Sequence, residues 1–409
     1  MIRLSLLLNN LRFLGGNGMQ NFEHQMLTKI YFGKGQDSRV GELIKEYGGS
    51  RVLLIHYGGW VTGSAVYATV TKSLSDAGLY VRELTGVLPN PRVSLCREGA
   101  KICREENLDF ILALGGGSVI DTAKTTALAV GYDGDVWDFF AGTATAEPQG
   151  VLPIATVVTI SATGSDNNSA AVINNEDGMQ KICYSHPSMF PKFSVLNPEV
   201  TYTLPPHQTA CGAVDIIAHV LDTYTTNEWD NELVHSMIEA IIKTALRNAP
   251  IVMENPYDYN ARAQLMWAAS LACNGSMMLG SGRDGTSHNI EHELGAIYDI
   301  THGDGLSIII PGWYKYLVKE YPERFIRMAT RIFGVELDYA HPERTAMEGV
   351  LRLEGFFKSL GMPTRFSEVG IDDSRFEEIA DRVDKLWGTY GQIKPFGKQE
   401  TMDILRLCL

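Results

Sequence analysis

The chain has 409 residues, of which 45% are hydrophobic and 20% are charged, a globular composition that excludes a disordered tail protein. The formal net charge of −13 disfavours a general nucleic-acid-binding protein and a protein of anionic membrane surfaces, because both need a basic face. No apolar run approaches the roughly 20 residues of a membrane helix. Six scattered cysteines, none in a Cys-x-x-Cys pair, argue against a disulfide framework, so we expect a cytoplasmic protein.

The first 18 residues need separate treatment, because Arg3 precedes a short apolar run as in a signal peptide. The run is broken at Asn9, and no Ala-x-Ala cleavage site follows it. We therefore predict that residues 1–18 are a non-native or disordered extension and that the protein itself starts at Met19.

Short β-rich runs alternate with helical patterns in the first half of the chain. The predicted strands span 51–57, 79–84, 109–117 and 151–160, and the predicted helices span 63–77, 93–106 and 118–130. Strands that alternate with helices are typical of crossover units around a parallel sheet. We expect residues 19–204 to form an α/β domain with a parallel, Rossmann-like sheet.

The pattern changes at Pro205-Pro206, after which long helical stretches follow with little β signal. The predicted helices span 207–226, 231–248, 258–279, 286–297, 304–321 and 343–360. A change of pattern at a proline pair is typical of a domain junction. We expect residues 205–409 to form an all-α domain.

Three glycines and a serine lie where the third predicted strand ends and a helix begins. We call them the glycine loop: Gly115, Gly116, Gly117 and Ser118. Glycines let the backbone approach a phosphate closely, and the helix N-terminus adds free N–H groups and a partial positive charge. The loop lacks the G-x-G-x-x-G pattern, because Ile120 takes the place of the third glycine, and it lacks the Walker A lysine. A pyrophosphate-binding loop and a tight strand-to-helix turn both remain open at this point.

Histidine and aspartate residues concentrate in the helical half. Asp215 and His219 lie four residues apart in a helical stretch, as do His288 and His292, so each pair shares one helix face. His302 follows fourteen residues after His288. Nitrogen and carboxylate donors without thiolate suit a divalent Fe, Zn, Mn or Co ion, although a single histidine on a helix face is more often a surface or core residue. The spacing predicts a metal site without deciding which of His288 and His292 binds the ion.

A metal in a helical domain that faces a phosphate-binding loop predicts a particular chemistry. The metal acts as a Lewis acid on a carbonyl oxygen, and a dinucleotide delivers or accepts a hydride. A metal-dependent hydrolase would leave the glycine loop without a role. The residues therefore favour a metal-dependent oxidoreductase with a nicotinamide cofactor.

Four segments of the chain resemble one known family. They are GGGSVIDTAK, TISATGSD, DIIAH and SHNIEHELGAIYDITHG, and the resemblance runs from about Asn21 to the C-terminus. The family is that of the iron-containing, metal-dependent alcohol dehydrogenases, and the chain is most similar to its branch of NADPH-dependent butanol dehydrogenases and aldehyde reductases. The resemblance implies a homodimer that acts on a primary alcohol or aldehyde.

Two alternatives share this fold, a lyase similar to dehydroquinate synthase and an enzyme similar to glycerol dehydrogenase. The lyase needs a phosphate-binding cluster of lysine and arginine near the metal, and residues 286–302 contain neither residue type. The hydride-transferring enzyme is therefore favoured over the lyase.

Carried over residue by residue, the family's metal ligands fall on Asp215, His219, His288 and His302, and the His-x13-His spacing selects His288. The resemblance places His292 beside the metal and near the nicotinamide, as a candidate proton-relay residue. The identity of the metal, Fe or Zn, stays open, because Zn²⁺ binds such donors at least as tightly as Fe²⁺.

The resemblance also assigns cofactor contacts in the first half. The glycine loop would hold the pyrophosphate with Asp121 nearby, Thr156 and Thr159 would line the cofactor cleft, and Lys181 matches the family's ribose-contacting lysine. The family's Thr-Gly-Ser-Glu reads Thr-Gly-Ser-Asp here, with Asp166 as a shorter acid of the same charge.

The turn after the first predicted strand bears on the choice between NAD and NADP. NAD enzymes commonly place a carboxylate there for the ribose 2′-hydroxyl, whereas this chain has His56, Tyr57, Gly58 and Gly59. The missing carboxylate removes repulsion against a 2′-phosphate, so we predict NADP(H) rather than NAD(H), with both glycines as cofactor contacts. The alternative is that the glycines only turn the chain and that either cofactor binds. Trp60 is bulky where a 2′-phosphate would lie.

Overall fold

The computed structural model describes residues 19–144, 150–228 and 230–409. The extension predicted for residues 1–18 lies outside the described residues. A parallel sheet with helices on both faces comes first in the chain, and a set of packed helices follows. The predicted fold class, an α/β part followed by a helical part, is confirmed.

The strands form one large sheet and one hairpin. In chain order they are β1 Lys29–Phe32, β2 Arg51–Ile55, β3 Tyr80–Leu84, β4 Phe110–Gly115, β5 Ile154–Val158, β6 Ala170–Asn175, β7 Gln180–Ser185 and β8 Phe193–Leu196. Six of them form a parallel sheet in the order β1-β8-β5-β4-β2-β3, and β6 and β7 pair as an antiparallel hairpin.

The helices of the first half lie between the strands, and those of the second half follow one another. The first set is α1 Val40–Glu46, α2 Ala65–Asp76, α3 Val93–Glu105, α4 Gly117–Val130 and α5 Trp137–Phe140. The second set is α6 Pro206–Tyr224, α7 Glu232–Glu254, α8 Tyr259–Ala272, α9 Thr286–Tyr298, α10 His302–Leu317, α11 Pro322–Arg331, α12 Pro342–Ser359, α13 Phe376–Trp387 and α14 Lys398–Leu407.

The central strands are apolar throughout because helices cover both faces of the sheet. Every residue of β4 and β5 is buried. Such continuous apolar runs are typical of parallel strands that have no solvated face. Because all six strands are parallel, the carboxyl ends of β2, β4 and β5 meet at one edge of the sheet. Ligands of open parallel sheets bind at this edge.

The second half buries one large apolar core. Helix α10 runs through it, and the side chains of Trp313 and Tyr314 on this helix are fully buried. This core fixes the helices that carry the predicted metal ligands. Within the described ranges, no helix combines the length and the apolar character that crossing a bilayer requires.

Helix α8 ends seven residues earlier than the predicted helix over 258–279. It stops at Ala272, and Gly275 adopts a left-handed backbone with a φ of 88°. Residues with this conformation commonly follow the end of a helix. Residues 276–278 form a short 3₁₀ turn instead, so the predicted helix is two separate elements.

Candidate active site

The four predicted metal ligands converge in the helical half. Asp215 and His219 lie on α6, His288 lies on α9, and His302 is the first residue of α10. Donor atoms of Asp215, His288 and His302 all lie within 4.8 Å of one another. Asp215 Oδ1 is 3.5 Å from His219 Nδ1 and 3.6 Å from His302 Nε2. The structure thus gathers the predicted ligand set around one point.

Three atoms of this cluster are buried and have no hydrogen-bond partner among the described residues. They are Asp215 Oδ1, His219 Nδ1 and His288 Nε2. Buried polar atoms are normally hydrogen-bonded, so three unpaired atoms that face one point indicate a site for a further partner. A carboxylate with three imidazoles is a donor set that suits Zn²⁺ or Fe²⁺. The residues present therefore fit a divalent metal.

A buried aspartate, Asp222 on α6, orients His288. Its Oδ2 lies 2.7 Å from His288 Nδ1, and Arg283 and Ser287 donate to the same carboxylate. Burial alone would raise the pKa of Asp222, but His288 and Arg283 lower it well below its usual value. The ionised Asp222 accepts a hydrogen bond from the Nδ1–H group of His288, which leaves Nε2 free to bind a metal.

A second buried acid, Glu291 on α9, does the same for His302. Its Oε2 accepts a hydrogen bond from His302 Nδ1, and Lys181 Nζ lies 3.2 Å from the same oxygen. Burial favours the neutral acid, yet His302 and Lys181 lower the pKa of Glu291 well below its usual value. Lys181 comes from β7, so this contact joins the hairpin of the first half to the metal-binding helices.

The charge distribution of the cluster favours a cation. Burial lowers the pKa of His288 to about 4, although Asp222 opposes this effect, so His288 is neutral and has the form that binds metals. Burial acts in the same direction on His219, but the carboxylate of Asp215 raises the pKa of His219 to about 9. A positive charge is therefore stabilised between Asp215 and His219.

His292, the predicted proton-relay residue, lies beside the cluster. Its ring centroid is 6.3 Å from that of His288 and 6.1 Å from that of His302. The ring is buried, and its Nδ1 has no hydrogen-bond partner within the described part of the chain. Burial and the nearby Lys181 lower the pKa of His292 well below its usual value, so the ring is neutral. The relay role of His292 stays a prediction.

Two glycines at the start of α10 let the metal-binding helices approach closely. A Cβ on Gly303 would lie 2.6 Å from the Cα of Cys211 on α6, and a Cβ on Gly305 would lie 2.7 Å from Cγ of Glu291 on α9. Any larger residue at either position would push α10 away from a neighbouring helix. The sequence His-Gly-Asp-Gly therefore sets the distance between His302 and the other ligands.

The glycine loop lies at the carboxyl end of β4, as predicted. Added Cβ atoms would collide with Val119 at Gly115, with Ile160 at Gly116 and with Thr163 at Gly117, at 2.4 to 2.5 Å. Among the described residues, no side chain caps the N-terminus of α4. The first N–H groups of this helix are therefore free to bind an anion, although these packing constraints alone would also explain the glycines.

Asp121, predicted near the pyrophosphate, makes internal hydrogen bonds. Its oxygens accept from the Ser165 hydroxyl at 2.6 Å and from the Val172 N–H at 3.0 Å. Burial raises the pKa of Asp121, while Lys124 and the hydrogen bonds from Ser165 and Val172 act in the opposite direction. Asp121 thus ties α4 to the polar loop after β5 and to β6.

Lys124, one turn further along α4, is buried and was not singled out from the sequence. Its ammonium donates to the Ser165 hydroxyl at 3.0 Å, to Asn168 Oδ1 at 2.9 Å and to the Ala170 carbonyl at 2.8 Å. Burial lowers its pKa to about 8. Lys124 thus fixes the polar loop after β5 against the helix of the glycine loop.

The two threonines predicted to line the cofactor cleft lie in different environments. Thr159 is half-buried, and its N–H donates to the carbonyl of Gly115 next to the glycine loop. Thr156 is fully buried inside β5, where its hydroxyl bonds to Ser194 at 2.8 Å. Thr159 therefore lies next to the glycine loop, whereas Thr156 has no exposed surface, and the cofactor contacts of both residues stay predictions.

The turn after β2 carries an aromatic pair beside the glycine loop. Gly58 and Gly59 both have positive φ, and the rings of Tyr57 and Trp60 stack with centroids 6.4 Å apart. The nearest acid of the adjoining strand, Glu83, is held by His56 at 3.1 Å and by the Tyr67 hydroxyl at 2.7 Å. This edge of the sheet therefore offers small residues, aromatic rings and a carboxylate that is already hydrogen-bonded.

Two of the residues that sequence reasoning missed could have been found from spacing. Asp222 follows Asp215 by seven residues and His219 by three, so all three lie on one face of α6. Glu291 follows His288 by three residues. Metal-binding histidines commonly donate their second ring nitrogen to a carboxylate, so acids at these helical spacings were the available signal.

Comparison with known proteins identifies the family. The family model of iron-containing alcohol dehydrogenases matches residues 28–198, and the model of the C-terminal part of the Fe-containing alcohol dehydrogenase family matches residues 209–409. The chain belongs to this family. The family predicted from the sequence motifs is confirmed, and with it the reaction class of a metal-dependent alcohol or aldehyde oxidoreductase with a nicotinamide cofactor.

Similar proteins cover nearly the whole chain. The probable NADH-dependent butanol dehydrogenase 1 of Bacillus subtilis is 40% identical over 96% of this chain and 100% of its own length. The NADPH-dependent aldehyde reductase YqhD of Escherichia coli is 32% identical over 90% of this chain and 94% of its own length. The crystal structure of NADH-dependent butanol dehydrogenase A from Thermotoga maritima superimposes with a TM-score of 0.92 at 37% identity, covering 96% of this chain and 99% of the other.

Proposed function

We propose that this alcohol dehydrogenase interconverts a short primary alcohol and its aldehyde, with the hydride exchanged with NADP(H). The observation that carries the proposal is the convergence of Asp215, His219, His288 and His302, with three donor atoms that are buried and unpaired among the described residues, next to the ion pair between Glu291 and Lys181 of the first half. The names of the butanol dehydrogenases and of the aldehyde reductase that the chain resembles support this substrate class.

A divalent metal in this cluster supplies a Lewis acid for the substrate oxygen, and a bound nicotinamide supplies or accepts the hydride. Asp222 and Glu291 accept hydrogen bonds from the Nδ1–H groups of His288 and His302, so that both rings present Nε2 to the centre of the cluster. In this proposal the neutral ring of His292, beside these two, holds or moves a proton at Nδ1, which has no hydrogen-bond partner among the described residues.

The chain's own residues also orient the cofactor in this proposal. The uncapped N-terminus of α4, among the described residues, provides N–H groups for the pyrophosphate, and Thr159 and Ser118 border the same cleft. Lys181 is already bonded to Glu291, so a ribose hydroxyl that reached Lys181 would join the network that orients His302. Cofactor and metal would then be coupled through one buried ion pair.

The preference for NADP(H) rests on the turn after β2. No carboxylate occupies positions 56–60, and Glu83 is tied to His56 and Tyr67, so a 2′-phosphate would meet little repulsion. Relatives of both kinds exist, since butanol dehydrogenases named NADH-dependent are 38 to 40% identical and the NADPH-dependent aldehyde reductase is 32% identical. The test is the ratio of kcat/KM for NADPH to that for NADH. A ratio below one contradicts the preference for NADP(H). In that case Trp60→Ser, which removes the bulky ring, should raise the ratio.

The reaction itself is tested with metal-replete protein, butanal and NADPH. We expect butanol to form in a 1:1 ratio with oxidised cofactor, as measured by gas chromatography and by the loss of nicotinamide absorbance. Absence of turnover with every short aldehyde, while the dinucleotide still binds, would contradict the proposal.

We also propose that the enzyme is a cytoplasmic homodimer. Size-exclusion chromatography with light scattering tests the assembly, and a mass of one chain would contradict it. Fractionation of the source cells tests the location.

A further inference from the structure

A second cluster of metal-ligating side chains lies on the same two helices as the active site. His207 and Cys211 are one turn apart on α6, and Asp304 lies in the first turn of α10. One donor atom from each residue lies within 4.8 Å of the others. His207 Nε2 is 3.1 Å from Asp304 Oδ2 and 3.5 Å from Cys211 Sγ. We infer that His207, Cys211 and Asp304 form a second binding site for a divalent cation.

The geometry favours ligands around one ion over a chain of hydrogen bonds. A relay of thiol, imidazole and carboxylate uses both ring nitrogens of the histidine, one for each partner. Here the thiol and the carboxylate both face the same nitrogen, Nε2. Bonds of about 2.0 to 2.3 Å to a tetrahedral metal place neighbouring donors roughly 3.3 to 3.8 Å apart, close to the separations observed.

The surroundings give an ion access and a place for a further ligand. His207 and Asp304 line a surface cavity of about 440 Å³, together with Lys358, Met362 and Pro363. The side chain of His207 is 48% exposed, whereas Cys211 is buried. Water or a small anion in the cavity can complete the coordination on the open side.

The donor set selects the kind of ion. A thiolate, a carboxylate and a neutral imidazole together carry two negative charges, which balance a divalent cation. Thiolate and imidazole prefer Zn²⁺ or Co²⁺ over Mg²⁺ or Ca²⁺, which take oxygen ligands. The site is therefore one for a borderline-soft ion.

This site is distinct from the active-site cluster. On α6, the pair His207–Cys211 is offset from the pair Asp215–His219 by eight residues. The centres of the two pairs are therefore about 12 Å apart along the helix axis. Two metals that act together on one substrate lie about 3.5 to 4 Å apart, so the second ion would not share the substrate. It would instead clamp α6 to α10 beside the close contact between Gly303 and Cys211.

The test is a cobalt titration of the untagged, metal-stripped full chain, followed by dialysis, metal analysis and near-ultraviolet absorption. We expect two cobalt ions per chain and a thiolate-to-cobalt charge-transfer band. His207→Ala and Cys211→Ser should each bind one ion, lose the band and keep the aldehyde-reducing activity. His288→Ala should lose the other ion and keep the band.

Cys273→Ser is the matched control, because Cys273 is a second cysteine close to the active-site cluster, where it interacts with His219. We expect this variant to keep both the band and the second ion. One cobalt ion per chain in the unmodified protein would overturn the inference. A band that is lost in Cys273→Ser and kept in Cys211→Ser would also overturn it.

Discussion

In the proposed mechanism His288 binds the metal and His292 moves a proton. His288 and His292 lie one turn apart on α9, yet only His288 has a carboxylate partner, Asp222, on its second nitrogen. His292 has neither this partner nor, among the described residues, any other at Nδ1. The two histidines should therefore respond differently to the same substitution.

We expect His288→Ala to lose the active-site metal and the activity together. His292→Ala should retain the active-site metal and lower kcat by roughly 10²-fold, the typical share of a general acid or base. Metal analysis and steady-state kinetics on both variants check this. Unchanged kcat in His292→Ala would remove His292 from proton transfer.

Asp222→Asn tests the orienting carboxylate without changing its shape. We expect the affinity of the active site for Zn²⁺ to fall about 10- to 100-fold, because the amide is a poorer acceptor for the Nδ1 proton of His288. Competition with a chromophoric chelator measures the affinity.

The control for this substitution is Glu354→Gln, which also neutralises a buried acid. Glu354 pairs with Lys315, Lys358 and Arg365, away from the cluster. Glu354→Gln should lower thermal stability and leave the Zn²⁺ affinity of the active site unchanged. Equal losses of affinity in both variants would mean that Asp222 acts only through stability.

Among the elements, those with strong local patterns were predictable from the sequence. The buried runs of β2, β4 and β5 and the helix-spaced stretches of α6, α9 and α10 were found within a few residues. Strands β1 and β8 have only four residues each, too few for a periodic signal, and they are positioned by pairing with each other across 160 residues of chain. The helices α11, α13 and α14 were not predicted; they begin at Pro322, after a 3₁₀ turn over 373–375 and after Gly397.

The residues of the candidate site also divide into those that the sequence predicts and those that it does not. The convergence of the four predicted ligands was predictable because a family motif fixes their spacing. The partners Asp222, Glu291 and Lys124 make hydrogen bonds to residues of other elements. The sequence alone does not show which faces of those elements meet. Thr156 illustrates the reverse case, since its position along the chain did not reveal that its side chain is fully buried against Ser194 of the neighbouring strand.

The approach of α10 to α6 gives a test at the level of elements. Gly303→Ala puts a methyl group 2.6 Å from the Cα of Cys211, so the helices must separate. We expect a loss of about 1 to 3 kcal/mol in the free energy of unfolding and a weaker active-site metal affinity. Chemical denaturation and the chelator competition measure both.

Gly355→Ala is the matched control, because Gly355 lies inside α12 with no atom within 4 Å of an added Cβ. This variant should gain about 0.5 to 1 kcal/mol, because alanine is the better helix former. A stable, metal-binding Gly303→Ala protein would contradict the role assigned to the close approach.

Lys124, which joins α4 to the polar loop after β5, predicts a pH dependence of stability. Burial lowers its pKa from 10.5 to about 8, so between these values the unfolded chain binds a proton that the folded chain has lost. The free energy of unfolding should therefore rise with pH over this window, by at most roughly 3 kcal/mol from this group. Lys124→Met should show a smaller rise in denaturation experiments at pH 8 and 10. An equal rise in the free energy of unfolding between pH 8 and 10 in both proteins would contradict the lowered pKa of Lys124.

The whole molecule joins the predicted cofactor edge of the sheet to the predicted metal cluster. The sheet supplies the glycine loop at the carboxyl end of β4, the helices supply the predicted metal ligands, and the ion pair between Lys181 and Glu291 joins the two halves. The activity should therefore depend on both halves at once. A chain that binds the dinucleotide without metal should be inactive.

The most direct measurement is NADPH oxidation with butanal by metal-stripped protein that is reloaded anaerobically with Fe²⁺ or Zn²⁺. His288→Ala is treated in the same way beside it. We expect no activity in either stripped protein and metal-restored activity only in the unmodified chain. Full activity without metal, or equal activity in His288→Ala, would contradict the assignment of Asp215, His219, His288 and His302 as the centre of the reaction.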